Sequence, residues 1–183
     1  MDSGLASLIG DIPDPKIRLV AQHWLNLYRQ AGGIPSLRLI DPLQLHQALP
    51  DTWILDLHDD GMPSIRLAGE TLADWFGRSL KGLRLDEVYN AQMLPLMLDM
   101  VRRVTDTPGI LLQHASSTPA TRSFAVPFDR LILPLCDDAG AIRHVLGVSV
   151  FSSRDGHGHG PERTSIETEK LYRVGPAMTE HAA

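Results

Sequence analysis

Cysteine is nearly absent from this 183-residue chain, with Cys136 as its single thiol. One thiol builds neither an intramolecular disulfide framework nor a multi-cysteine zinc site, which excludes the small secreted scaffolds and fits a reducing compartment. Long apolar runs are missing too. No stretch approaches the roughly 18 to 20 apolar residues of a membrane span, and the start Met1-Asp2-Ser3-Gly4-Leu5 has no basic region leading into an apolar one. An excess of basic residues is also lacking: 17 Lys and Arg stand against 22 Asp and Glu, a formal charge of -5, so no broad surface attracts phosphate backbone or anionic lipid. A cytoplasmic protein is expected, with neither nucleic acid nor membrane among its partners. Aromatics make up only 5% of the chain, yet 43% apolar and 21% charged residues exclude wholesale disorder and leave a core to bury. The length suits one domain with trimmings.

The order of residues gives the elements. Asp14-Pro15 is an N-cap followed by Pro at the first helical position, and Gly32-Gly33 is a stop; between them Ile17, Val20, Ala21, Trp24, Leu27 and Tyr28 recur at helical spacing. A second Asp-Pro start, Asp41-Pro42, opens a short helical turn that Pro50 closes. The pattern then shortens. Trp53 to His58 and Ser64 to Ala68 flank the turn-forming Asp59-Asp60-Gly61-Met62-Pro63 and predict a hairpin. Short helical pieces follow at Thr71 to Phe76 and around Leu85, and a longer helix is predicted over 91–107, carrying Leu94, Met97, Leu98, Val101 and Val104 on one face. Strands are predicted at 110–115, 124–135 and 142–151, the last two joined by the turn Asp137-Asp138-Ala139-Gly140. Beyond Arg154, Gly156-His157-Gly158-His159-Gly160 reads as a linker and the rest as a partly ordered tail.

This order, a hairpin, then helices, then three antiparallel strands, resembles the PAS domain. Ser64-Ile65-Arg66-Leu67-Ala68-Gly69-Glu70-Thr71-Leu72, then Phe76-Gly77-Arg78-Ser79-Leu80-Lys81-Gly82 with Leu85-Asp86-Glu87-Val88, and finally Leu133-Pro134-Leu135 with Val145-Leu146-Gly147 carry the likeness. As a set they are similar to a bacterial subfamily, PAS_5, once classed as a domain of unknown function. The resemblance covers about residues 13 to 153. It implies an α+β fold: a five-stranded antiparallel sheet in the order 2-1-5-4-3, helices on one face, and an added N-terminal amphipathic helix. The expected organisation is a flexible N-terminus over 1–12, a helical cap over 13–49, a core over 50–153 and the tail over 154–183. Leu131, Leu133 and Leu135 alternate with Ile132, Pro134 and Cys136, so the sheet needs cover on both faces. The Ile17, Val20, Trp24, Leu27 and Tyr28 stripe is expected to supply that cover, to form a homodimer or partner interface, or to do both.

Heme-binding and flavin-binding relatives within the resembled family set the sharpest ligand alternatives, and both are disfavoured. Heme needs an axial ligand, commonly His, but the helix over 91–107 contains none. A flavin photosensor needs a cysteine on the helical side of its cavity, whereas Cys136 ends a strand. No cofactor and no metal site is expected. His157 and His159 are too few for a defined metal site, no Gly-x-Ser-x-Gly elbow is present, and Gly77 to Gly82 lacks the order of a phosphate loop. An enzyme is not expected. Any pocket between helices and sheet is expected to involve Trp75, Met93, Met97, Met100, Val101 and His114, with room for a small apolar ligand. The leading expectation is a stand-alone sensor or adaptor whose output is a separate signalling protein, because too little chain follows residue 153 for an output domain. A small-molecule-binding module is the alternative.

Overall fold

The computed structural model describes residues 3–119, 124–153 and 160–175. Two helices come first, α1 (Ser3–Asp11) and α2 (Pro15–Ala31). The start of α2 follows from its sequence: the Asp14 carboxylate accepts hydrogen bonds from the backbone N–H groups of Lys16 at 2.8 Å and Ile17 at 3.1 Å. These satisfy donors that a helix start leaves unpaired. Gly32, at φ 68°, closes the helix in the left-handed region that glycine enters at little cost.

Three further helices, α3 (Glu70–Phe76), α4 (Leu85–Val88) and α5 (Leu94–Thr105), lie between the first two strands and the rest. The strands are β1 (Thr52–Asp56), β2 (Ser64–Ala68), β3 (Gly109–Pro119), β4 (Val126–Cys136), β5 (Ile142–Phe151) and β6 (Pro161–Arg173). All pair antiparallel in the order β2-β1-β5-β4-β3-β6. The 2-1-5-4-3 arrangement is therefore present, with a sixth strand added outside β3. That addition corrects the five-strand expectation. It also replaces part of the expected tail, since Pro161–Arg173 pairs with β3 over its whole length.

The sheet has a separate core on each face. On one side Ile110, Leu112, Leu131, Leu133, Leu135, Leu146 and Val148 pack with Leu8, Ile12, Ile17, Val20, Trp24 and Leu25 of the N-terminal segment. On the other, Leu55, Leu111, Ile132 and Val145 pack with Leu72, Trp75, Phe76, Met93, Met97, Met100, Val101 and Val104 of α3 and α5 and the residue that caps α5. Successive strand residues point to opposite faces, so the doubly apolar run in β4 feeds both cores. Residues 3–12 are ordered where a flexible terminus was expected, because α1 delivers Leu8, and the turn after it Ile12, fully buried into the first core.

Trp24 is the centre of the N-terminal cover. Its ring is fully buried, stacks on Tyr28 with centroids 5.2 Å apart, and donates its indole N–H to the Pro134 carbonyl of β4 at 2.9 Å. Ile17, Val20 and Trp24 thus supply the first of the two roles expected of the stripe, cover for the chain's own sheet, and their full burial leaves them no surface for the second, a partner interface. Leu27 and Tyr28 are half-buried beside them. Replacing Trp24 by Phe removes the donor and leaves a buried carbonyl unpaired. We expect a loss of about 1–3 kcal/mol in urea unfolding; an unchanged midpoint contradicts this anchoring role.

Candidate functional site

The space between α3–α5 and the sheet is small and divided. One cavity of about 40 Å³ is lined by Trp53, Leu55, Ile65, Leu72, Met97, Met100, Val101 and Ile132, among others. A second of about 20 Å³ is lined by Trp75, Phe76, Met93, Met97, Ser117, Phe128 and Phe151, among others. Leu72, Tyr89, Met97 and Arg130 line both. A water needs on the order of 10–15 Å³ by this measure, so the two spaces hold a few solvent-sized groups as packed. A flavin or a heme does not fit them in this packing.

Five of the residues expected around a pocket, Trp75, Met93, Met97, Met100 and Val101, line one or both spaces. His114 does not, and this is a correction. It shares the β3 phase of Ile110 and Leu112, so it faces the N-terminal side of the sheet, where it is exposed. There its Nδ1 lies 2.7 Å from Asp129 and its Nε2 3.4 Å from Glu167.

Arg130 is the residue that sequence reasoning missed. In β4 it falls in the phase of Phe128 and Ile132, facing the cavity, and its guanidinium lies 4.7 Å from the centre of the Phe128 ring. A chain of aromatic contacts continues from there: Phe128 to Phe151 at 5.2 Å, then Phe151 stacked on Trp75 at 4.3 Å. Arg130 Nε donates to the Ser149 hydroxyl at 3.1 Å, and among the described residues Nη1 meets the thioether sulfurs of Met100 at 3.7 Å and Met97 at 4.0 Å. Thioethers are weak acceptors. Among the described residues no carboxylate forms an ion pair with it. Burial lowers the Arg130 pKa and raises that of the neighbouring Tyr89 phenol. The guanidinium nevertheless keeps its charge at neutral pH.

The local chain is built to hold this charge. Trp53 sits opposite Gly147 in the β1–β5 ladder. Any Cβ at Gly147 lies 2.1 Å from the Trp53 ring, so only glycine lets the indole lie across β5. From that position the Trp53 N–H donates to Ser149 at 3.0 Å, leaving this one buried hydroxyl between Trp53 and Arg130. Ser117, in β3, is 2% exposed, and its hydroxyl has no hydrogen-bond partner among the described residues.

Cys136 is buried at the end of β4, its thiol pKa raised by burial. It is paired with the β5 terminus and bridged to Ser36, away from the cavity linings. Among the described residues there is no cluster of three or more metal-ligating side chains. His157 and His159 lie outside the described residues. No helix among the described residues is long and apolar enough to cross a membrane.

An antiparallel sheet ordered 2-1-5-4-3 with short helices closing a small cavity over one face defines the PAS class of signalling sensor folds. The PAS domain family matches residues 14–150, and the chain belongs to that family. The match takes in α2 and runs to Val150 in β5. Solved structures that resemble it include the PAS domain of Bordetella pertussis BvgS, 16% identical, covering 62% of this chain and 88% of that one with a TM-score of 0.43. A Rhodobacter sphaeroides LOV protein is 13% identical, covering 66% of this chain and 73% of that one with a TM-score of 0.42. A comparison with curated proteins finds no match.

The His114 pair gives a pH signature. Its hydrogen bond to Asp129 raises the histidine pKa above the ordinary 6.5, so the folded state binds the proton more tightly than the unfolded chain. This contribution is fully present below about 6.5 and is lost as pH rises through the raised folded value. The stability difference between wild type and His114→Gln is expected to shrink across that window in urea unfolding. A difference that does not vary with pH contradicts the assignment.

Proposed function

We propose that the protein is a non-catalytic PAS sensor or adaptor that works by protein–protein association, its packing tuned by what occupies the cavity. The observation that carries this reading is the double role of β4. On one face it presents Phe128, Arg130 and Ile132 to the cavity side; on the other, Leu131, Leu133 and Leu135 pack under α2, and the Pro134 carbonyl holds Trp24. A shift in the cavity side chains therefore acts on the same strand that seats the N-terminal helices, which links two packed faces without a hinge. The first assembly expected is a homodimer, with a separate signalling protein as the output.

Because the α2 stripe is spent on the chain's own sheet, the association surface must lie elsewhere. Leu39 at 48% and Leu43 at 81% exposure stand on the segment that follows α2. Large apolar side chains left in water beside the N-terminal cover suit a contact face. The second reading, a small-molecule-binding module, is favoured by a different observation, the half-buried Arg130 on the cavity wall, which forms no ion pair among the described residues.

Light scattering over a range of protein concentrations tests the first reading. We expect a concentration-dependent dimer that the Leu39→Asp/Leu43→Asp double variant shifts to monomer by about tenfold or more in dissociation constant, with an unchanged urea midpoint. A wild-type protein that stays monomeric at high concentration, or a variant that dimerises equally well, contradicts it.

A further inference from the structure

We infer that Arg130 is the head-group site for a small monocarboxylate whose apolar remainder lies among Leu55, Ile65, Met100, Val101 and Ile132. This rests on reading the cavity as a ligand site and is independent of the association surface. The starting point is a cost. Arg130 is half-buried, and a guanidinium turned from water onto a cavity without a counter-charge loses part of its hydration, a cost that an apolar side chain of similar volume avoids. Here the charge meets one serine hydroxyl, two thioether sulfurs and an aromatic face, none of which neutralises it.

A second group points the same way. Ser117 is 98% buried by its 2% exposure, its hydroxyl is unpaired, and it lines the smaller space that Arg130 also lines. Tyr89 brings a third polar group, a desolvated phenol, to both spaces. The unpaired Ser117 hydroxyl is thus a donor in want of an acceptor, and the half-buried Arg130 and Tyr89 turn further donors to the same cavity.

The chemistry of that acceptor follows from the walls. A carboxylate matches the planar fork of a guanidinium, takes hydroxyl donors on its remaining lone pairs, and carries the single charge that Arg130 leaves uncompensated. A phosphate brings more charge than one guanidinium offsets. The larger space beside Arg130 is lined otherwise by leucine, isoleucine, valine, alanine, methionine and aromatic residues, which selects an apolar tail there, while the smaller space adds the hydroxyls of Ser117, Ser149 and Thr164. The present spaces, about 40 and 20 Å³, match a head group; Met97 and Met100, which touch the guanidinium, have the flexible side chains that make room for the tail.

The test uses the full chain with isotope-labelled methionine methyl groups, titrated with butyrate, hexanoate and benzoate and with the neutral amide of each. Met97 and Met100 report occupancy of the cavity in the wild type, so the result does not depend on a variant folding. We expect at least one acid to shift both signals and to bind about 10- to 100-fold more tightly than its amide, the range for a hydrogen bond to a charged group. Arg130→Gln is expected to erase the preference for acid, and Ser117→Ala to weaken the acid by a few-fold. Equal binding of acid and amide overturns the role of Arg130 while leaving a neutral-ligand cavity. No shift at Met97 or Met100 with any acid up to about 100 mM overturns both the site and the ligand reading, and neither result touches the dimer test.

Discussion

A sheet that is apolar on both faces has to be covered twice, and the rest of this structure follows from that requirement. Residues 131 to 136 place Leu131, Leu133 and Leu135 on one side and Ile132 on the other, all buried. Helices α3 to α5 cover one side, as the family fold requires, and α1 with α2 cover the other. The second cover is fixed by more than apolar area. The Trp24 N–H on the Pro134 carbonyl ties a helix directly to the strand beneath it, which sets the position of α2 along the sheet. A hydrogen bond of this kind gives the two layers one register. The sixth strand extends the same logic, because β6 carries Tyr172 and Val174 to the edge of the first core and contributes Leu171 to the second.

The elements with local signals were legible. Asp14-Pro15 and Gly32 bound α2 because capping chemistry is written in adjacent residues, and the hairpin turns around Gly61 and Gly140, both at positive φ, are marked by Asp-rich turn sequences. Both phases of β4 were apolar, so two covers followed from the sequence alone. What that doubling hid was which face is which. His114 read as a cavity residue because nothing in its neighbours distinguishes the two sides; its phase with Ile110 and Leu112 places it under the N-terminal segment instead. β6 was hidden for a different reason. Its Glu162, Arg163, Ser165, Glu167, Glu169 and Lys170 are those of an exposed edge, and only pairing with β3 makes the segment a strand. In α1 a nine-residue helix without acidic or basic end signals left no capping pattern to find.

Arg130 was the least legible and matters most. In the run Phe128-Asp129-Arg130-Leu131 a charged residue at alternating spacing reads as a solvated strand position, and Asp129 beside it does face outward toward His114. The partial burial of Arg130 emerges only when α5 lays Met97 and Met100 over the guanidinium, a contact between residues some thirty positions apart. No local pattern encodes that. The same strand therefore holds a neighbouring pair of charges with opposite fates, one balanced by a histidine at the surface and one left without a counter-charge on the cavity wall.

A half-buried arginine turned onto a cavity without a counter-charge is either a structural strut or a functional group held at a cost in stability, and the two make opposite statements about its removal. The most direct measurement is the urea-unfolding midpoint of Arg130→Met in the absence of any added ligand. Met conserves much of the volume and sits naturally beside Met97, Met100 and Phe128. If the guanidinium awaits a ligand, the variant is as stable as wild type or more stable, by up to about 1–4 kcal/mol. If it is a strut that holds Ser149 and Phe128 in place, the variant loses about 1–3 kcal/mol, and the account of this cavity as an anion-receiving sensor site is contradicted.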